Sequence, residues 1–249
     1  MLLDARLADL PGTASVWIGP LHGPPTYIRE PDATHYAASL MKLPLLAAID
    51  QPATTEVLVH NDFASVASGR FGLERRHDSD QEVWRRLGQR VPLGWLAERM
   101  ITHSSNLAAN LVLERIGIDA TDLAWRRVGA RHSRVTRAIG DSAGAEAGHT
   151  NLVTAADLAR LLGAMDLAPL LGQELGQELR AGLPAGTRVA HKNGWVMGVR
   201  HAAGVVFPDD SPAFLVCVCL TTPLAVNRPD DEACQIVSEV TREAWARRR

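Results

Sequence analysis

Ser39 and Lys42 stand three residues apart in the stretch SLMK, a spacing that sets a hydroxyl and an amine on one face of a helix. A lysine ammonium can lose its proton when buried and then take one from a serine, whereas a guanidinium stays charged under protein conditions. The use of lysine stands out in this chain. Of its 26 basic residues only Lys42 and Lys192 are lysines, and the rest are arginine. The run SLMKLPLLAAID is apolar on nearly every side, which predicts a helix from about Ser39 that is buried all round. Pro44 falls in its early turns, where a missing N–H costs least. Ser39 is therefore a candidate nucleophile and Lys42 its proton acceptor, although S-x-x-K alone recurs by chance on many helices.

Two further clusters carry candidate chemistry. HSSN, residues 103–106, heads a long apolar-faced helix, where Ser104 and Asn106 read equally well as helix caps. HKNG, residues 191–194, ends a predicted strand and holds the second lysine, Lys192. His35, His103, His149, His191 and His201 flank these clusters, but no H-E-x-x-H or Cys/His pattern occurs, so neither a metal nor another cofactor is expected. A G-x-S-x-G elbow for a Ser-His-Asp triad is also missing from the sequence.

Taken in order, S-x-x-K, S-x-N and K-x-G resemble the motifs of the penicillin-recognising serine hydrolases: class A β-lactamases, low-molecular-weight D,D-peptidases and related esterases. The surrounding text AASLMKLPLLAA, MITHSSNLAANLVLERIG and VAHKNGW is similar to the same family, and the likeness runs through the whole chain. The resemblance implies that Ser39 is acylated, Lys42 takes its proton, and Ser104 passes a proton to the leaving amine or alcohol. It further implies that Asn106 bonds the substrate amide and that Lys192 steers a substrate carboxylate while keeping the surroundings of Ser104 positive. Asn193, Gly194 and Trp195 would line the binding pocket, and the N–H groups of Ser39 and Trp195 would form an oxyanion hole.

Three positions depart from the pattern. Asn193 stands where the family has Thr or Ser, and Ser105 where it has Asp, so a buried structural contact must be lost or rebuilt. The loop IGDSAGAEAGHTN lacks the Glu and Asn that hold a deacylating water in class A β-lactamases, and offers only Asp141 and Glu146. Glu146 is the possible deacylation base, but its Ala and Gly neighbours read as a solvated loop. The expected activity is hydrolysis of an amide, ester or lactam through a Ser39 acyl-enzyme with weak or no β-lactam turnover, that is, a peptidase or esterase rather than an antibiotic-hydrolysing enzyme. The alternatives are a class A β-lactamase that recruits Glu146, and a non-hydrolytic binding protein or sensor.

The elements that must position these residues fit one α/β domain of the α+β type over residues 1–249. TASVWIGP and PTYIRE near the start, and RVAHKNGW, RHAAGVVF and AFLVCVCLTT near the end, read as strands of one antiparallel sheet built from both chain ends. A final helix covers about 229–247. The middle, about 51–180, has mainly helical spacing and reads as an inserted all-helical lobe between the sheet-lobe segments, about 1–50 and 181–249. Thr154 and Asp157 fit a helix start, and residues 134–151 read as a long loop.

With 26 basic and 28 acidic residues, a net charge of -2 gives no electrostatic case for nucleic acid or an anionic membrane. The basic end ARRR reads as a solvated helix terminus. The partner expected is a small-molecule or peptide substrate with a carboxylate, and no oligomeric state is indicated. MLLDARLADLPG carries Asp4 and Asp9 within its apolar spacing, unlike a secretory signal, and no stretch is long enough to cross a membrane. Cys217, Cys219 and Cys234 read as buried free thiols, which places the chain in a reducing cytoplasm.

Overall fold

Five strands, β1 (Thr13–Pro20), β2 (Tyr27–Arg29), β3 (Arg188–Val196), β4 (Val199–Phe207) and β5 (Phe214–Thr221), form one antiparallel sheet in the order β2–β1–β5–β4–β3. The two chain ends thus meet in the middle, where β1 pairs along its length with β5. The computed structural model of the chain describes residues 2–228 and 230–248. Strand β5 reads FLVCVCLT, apolar without alternation, because both of its faces are covered. Val216, Val218 and Leu220 face a cluster with helices α1 (Leu2–Ala8) and α7 (Glu232–Ala246), and Leu215, Cys217 and Cys219 face the larger core on the other side. Burial of Ile236, Val237 and Val240 on α7 contributes about 1.5–3 kcal/mol for each side chain. All three cysteines are free and buried.

The inserted segment packs helices α2 (Lys42–Ala47), α3 (Leu93–Thr102), α4 (Asn106–Ile116), α5 (Ile118–Arg127) and α6 (Ala155–Leu162). It also carries short ribbons that pair Glu56–Leu58 with Arg90–Pro92 and Phe63–Ala64 with Arg70–Phe71. Thr154 caps α6 by accepting the Asp157 N–H at 3.1 Å, and the Asp157 carboxylate in turn accepts the N–H groups of Arg131, His132 and Ser133. The expected start of the last helix, residue 229, lies outside the described residues; α7 begins at Glu232, with Asp231 as its cap. Among the described residues no helix is long and apolar enough to cross a membrane.

Ser39 does not open a regular helix. Ala38–Met41 form one 3-10 turn, and the α-helix begins at Lys42, where Leu43 and Leu45 are fully buried. Two histidines fasten the approach to this turn onto the sheet. His35 lies between Ser15 Oγ (2.8 Å) on β1 and Thr221 Oγ1 (2.7 Å) on β5. His201 on β4 donates from Nε2 to the Tyr36 carbonyl at 2.9 Å and accepts the Leu220 N–H on Nδ1 at 3.1 Å, so both partners require the neutral ring. Burial lowers His35 to about 3 and His201 to about 4, and His191, also beside the Arg180 guanidinium, to about 3.

These rings are protonated more readily in the unfolded chain than in the folded one. Their contribution is complete above the ordinary histidine value and is lost as the pH falls below it. Between pH 7 and pH 5 we expect a loss of about 2 kcal/mol for each of the three histidines. Urea denaturation at the two pH values measures it, and an unchanged midpoint would contradict neutral burial.

Candidate active site

The turn that carries Ser39 is held tightly. Ala37 donates to the Asn151 carbonyl at 2.9 Å, and Ala38 adopts a left-handed φ of 37 to 44 degrees' kind rarely taken by alanine, at 44°. Gly194 on β3 explains part of this constraint. A Cβ there would lie 2.9 Å from Ser39 N and 3.1 Å from Leu40 N, so the strand can run this close to the nucleophile's backbone only with glycine.

The motif side chains converge. Lys42 Nζ lies 3.2 Å from Ser39 Oγ, 3.1 Å from Ser104 Oγ, 2.6 Å from the Ser104 carbonyl and 2.9 Å from Asn106 Oδ1. Both carbonyl oxygens can only accept. A neutral amine that donates its two N–H bonds to them keeps its lone pair for a serine hydroxyl. Ser104 Oγ is also 3.1 Å from Ser39 Oγ and 3.1 Å from Lys192 Nζ, and so links the two amines. Ser104 holds this place with φ at 54°, in the left-handed region.

Neither lysine side chain is exposed. Burial lowers Lys42 to about 7, opposed by the Asp78 carboxylate. Lys192 is pushed well below the ordinary lysine range by burial and by the charge of Lys42, opposed by Glu178. Both shifts favour the neutral amine.

The contact expected to be lost with Ser105 is rebuilt by Asp78, a residue that sequence reasoning missed. Asp78 Oδ1 accepts Asn106 N at 3.1 Å, and Oδ2 accepts Leu107 N at 2.9 Å, Trp84 Nε1 at 3.0 Å and Ser105 Oγ at 3.4 Å. A buried carboxylate thus sits at the N-terminus of α4, where the helix dipole favours it, while Ser105 Oγ caps Ala108 N. The stretch HDSDQEVW contains nothing that ties it to a position 27 residues on.

Ser39 opens into a cleft of ≈ 360 Å³ that Ser104 and Asn106 also line. Trp195, Val196 and Met197 enter it from the β3–β4 hairpin, and His77 and Ser79 from the loop next to Asp78. A larger cavity, ≈ 780 Å³, lies among Leu46, Ile49, Ala97, Leu161 and Met165 and contains none of the motif residues. Among the described residues no group of three or more His, Cys, Asp or Glu side chains is placed to hold a metal ion.

Two expected site residues are not brought to this cleft. The Asn193 side chain is fully buried and accepts from Gln173 Nε2 at 2.9 Å, because alternation along β3 turns it under residues 173–178. Glu146 is exposed at the end of the short helix Ser142–Glu146. The part of the loop that lies beside Asn106 is Ile139 and Gly140, and Asn110 holds Ile139 through both its N–H and its carbonyl. Asp141 is occupied by Ser65 Oγ, Val66 N and Gly144 N.

Asp78→Asn should destabilise the fold by about 2 kcal/mol, since an amide cannot accept all these donors. Adding Ser105→Asp should restore much of the loss by placing a carboxylate at the same helix end. Thermal denaturation of the single and double variants measures both effects, and additive losses in the double variant would contradict the exchange of roles.

Comparison with known proteins agrees with this geometry. A profile of the Beta-lactamase enzyme family matches residues 2–247. No curated protein sequence matches the chain. A beta lactamase from Xanthomonas campestris pv. campestris superposes with a TM-score of 0.80 at 20% identity, over 98% of this chain and 97% of its own. A variant of PBP-A in acyl-enzyme complex with penicillin G gives 0.77 at 19% identity, over 98% and 95%. A variant of the class A beta-lactamase of the last common ancestor of Gram-negative bacteria gives 0.79 at 24% identity, over 99% and 98%. With the profile spanning nearly every residue and the lysine–serine network in place, the chain belongs to the beta-lactamase enzyme family and is a serine hydrolase of that superfamily.

Proposed function

We propose that the protein hydrolyses an ester, amide or lactam through an acyl-enzyme on Ser39. The observation that carries this reading is the 3.2 Å approach of Ser39 Oγ to Lys42 Nζ, an amine whose burial lowers it to about 7. Lys42 takes the Ser39 proton as Oγ attacks the substrate carbonyl. Charge then develops on the carbonyl oxygen, which the N–H groups of Ser39 and Trp195 would receive. Ser104, in contact with both amines, returns a proton to the leaving nitrogen or oxygen as its bond to the acyl carbon breaks. Asn106, with Oδ1 occupied by Lys42, has its NH₂ left for a substrate carbonyl.

Deacylation needs a base within about 3 Å of the attacking water. Ile139 and Gly140 beside Asn106, together with the exposure of Glu146, support slow release of a bulky acyl group. Lys42 can serve as the base where the acyl group leaves room for water.

Three outcomes follow from these assignments. Acylation of Ser39 by a neutral activated ester should rise with pH through about 7 as Lys42 loses its proton, and a pH-independent rate would contradict the base assignment. Lys42→Arg should lower that rate by about 10²–10⁴, with Lys192→Arg milder; equal rates for Lys42→Arg and the parent would remove Lys42 from the mechanism. Incubation with penicillin, followed by intact-protein mass spectrometry, should show an adduct that persists for minutes and whose lifetime Glu146→Gln leaves unchanged. Rapid turnover that collapses in Glu146→Gln would instead identify a β-lactamase with a rebuilt loop.

A further inference from the structure

We infer that the substrate is uncharged beside its scissile bond and presents an apolar group to the β3–β4 hairpin, an inference that rests on the acyl-enzyme reading above. A carboxylate next to the reacting carbonyl would need a cation or a set of free donors, and the structure has closed both off. Lys192 Nζ is buried and donates to Ser104 Oγ and to the Asn193 carbonyl, each at 3.1 Å. The Asn193 amide lies under the chain at Gly176, whose φ of 74° brings its backbone so close that a Cβ there would collide with the amide.

The covering segment is tied down at several points. Glu174 N donates to the Thr102 carbonyl at 3.1 Å, and the Glu174 carboxylate lies 3.2 Å from His103 Nε2. Ser238 Oγ donates to the Glu178 carbonyl at 2.7 Å. The nearest guanidinium in the sheet is Arg200, opposite Trp195 in the β3–β4 register, and it is already balanced. It is buried between Asp231 at 3.0 Å and Glu178 at 3.7 Å, two carboxylates for one positive charge. A third carboxylate brought here would be desolvated against a net negative pair.

The open cleft has the opposite character. Among the described residues that line it there is no lysine or arginine, and His77 is its single ionisable side chain apart from the hydroxyls. Arg228, next to Asn227, is not part of the lining and gives its carbonyl to Arg200. Met197 is 70% exposed and Val196 39%, and with Trp195 they form an apolar wall beside the nucleophile. Such a wall gains from covering an apolar substrate group and gives nothing to an anion.

Two esters with the same phenylacetylglycyl acyl group test the inference, one with glycolate and the other with glycolamide as leaving group. After correction for their rates with hydroxide, kcat/KM for the neutral glycolamide ester should be about tenfold higher. Equal values, or a preference for the glycolate ester, would overturn the inference. Calorimetric affinities of both esters for the Ser39→Ala protein give the same comparison without acylation, and tighter binding of the neutral ester is expected. If that binding preference held while neither ester, nor p-nitrophenyl acetate, acylated Ser39 in the parent protein, the acyl-enzyme reading would fail and the substrate inference would stand.

Discussion

Two lysine amines buried against one serine hydroxyl set the terms for the rest of this structure. An ammonium removed from water loses several kcal/mol of hydration, and two of them in contact with the same oxygen would also repel each other. Loss of the proton relieves both costs. The arrangement is tolerable because the neutral amines still find partners: Lys42 the Ser104 and Asn106 carbonyl oxygens, Lys192 the Asn193 carbonyl and Ser104 Oγ. Arginine would fill the same space with a charge that cannot be removed, which is a physical reason for lysine at these two positions in an otherwise arginine-rich chain.

Holding the amines in register requires parts of the chain far apart in sequence. The sheet joins both ends of the chain, and His35 and His201 fix the Ser39 turn to three of its strands. On the other side Asp78 closes the N-terminus of α4 and so fixes the backbone that presents Ser104 and Asn106. The left-handed backbones of Ala38 and Ser104 are maintained by these surroundings. The same rigidity covers Asn193, leaving an active serine beside an apolar wall rather than beside a cationic pocket.

The sheet and its apolar strands were legible in the sequence because a run such as FLVCVCLT leaves few other structures open. The nucleophile, its base and Ser104 were legible because a functional lysine is rare here and the three motifs keep their order. The Asp78 contact was not, since an acid in a polar loop has many uses and only the folded chain brings it to Ser105. Asn193 misled for a related reason. Alternation along β3 separates its side chain from that of Lys192, but the sequence does not reveal that residues 173–178 lie over it. The regular helix expected from Ser39 became a 3-10 turn because β3 passes too close to its backbone for an α-helical entry.

A chain with only two lysines allows a direct test of the central claim. Protein labelled with ¹³C at lysine Cε should give two resonances, assigned by Lys42→Arg and Lys192→Arg, whose shifts report the charge of each amine. The account predicts that Lys42 titrates near 7 and that Lys192 is already neutral there. Two resonances that both titrate in the ordinary lysine range, near 10.5, would contradict it.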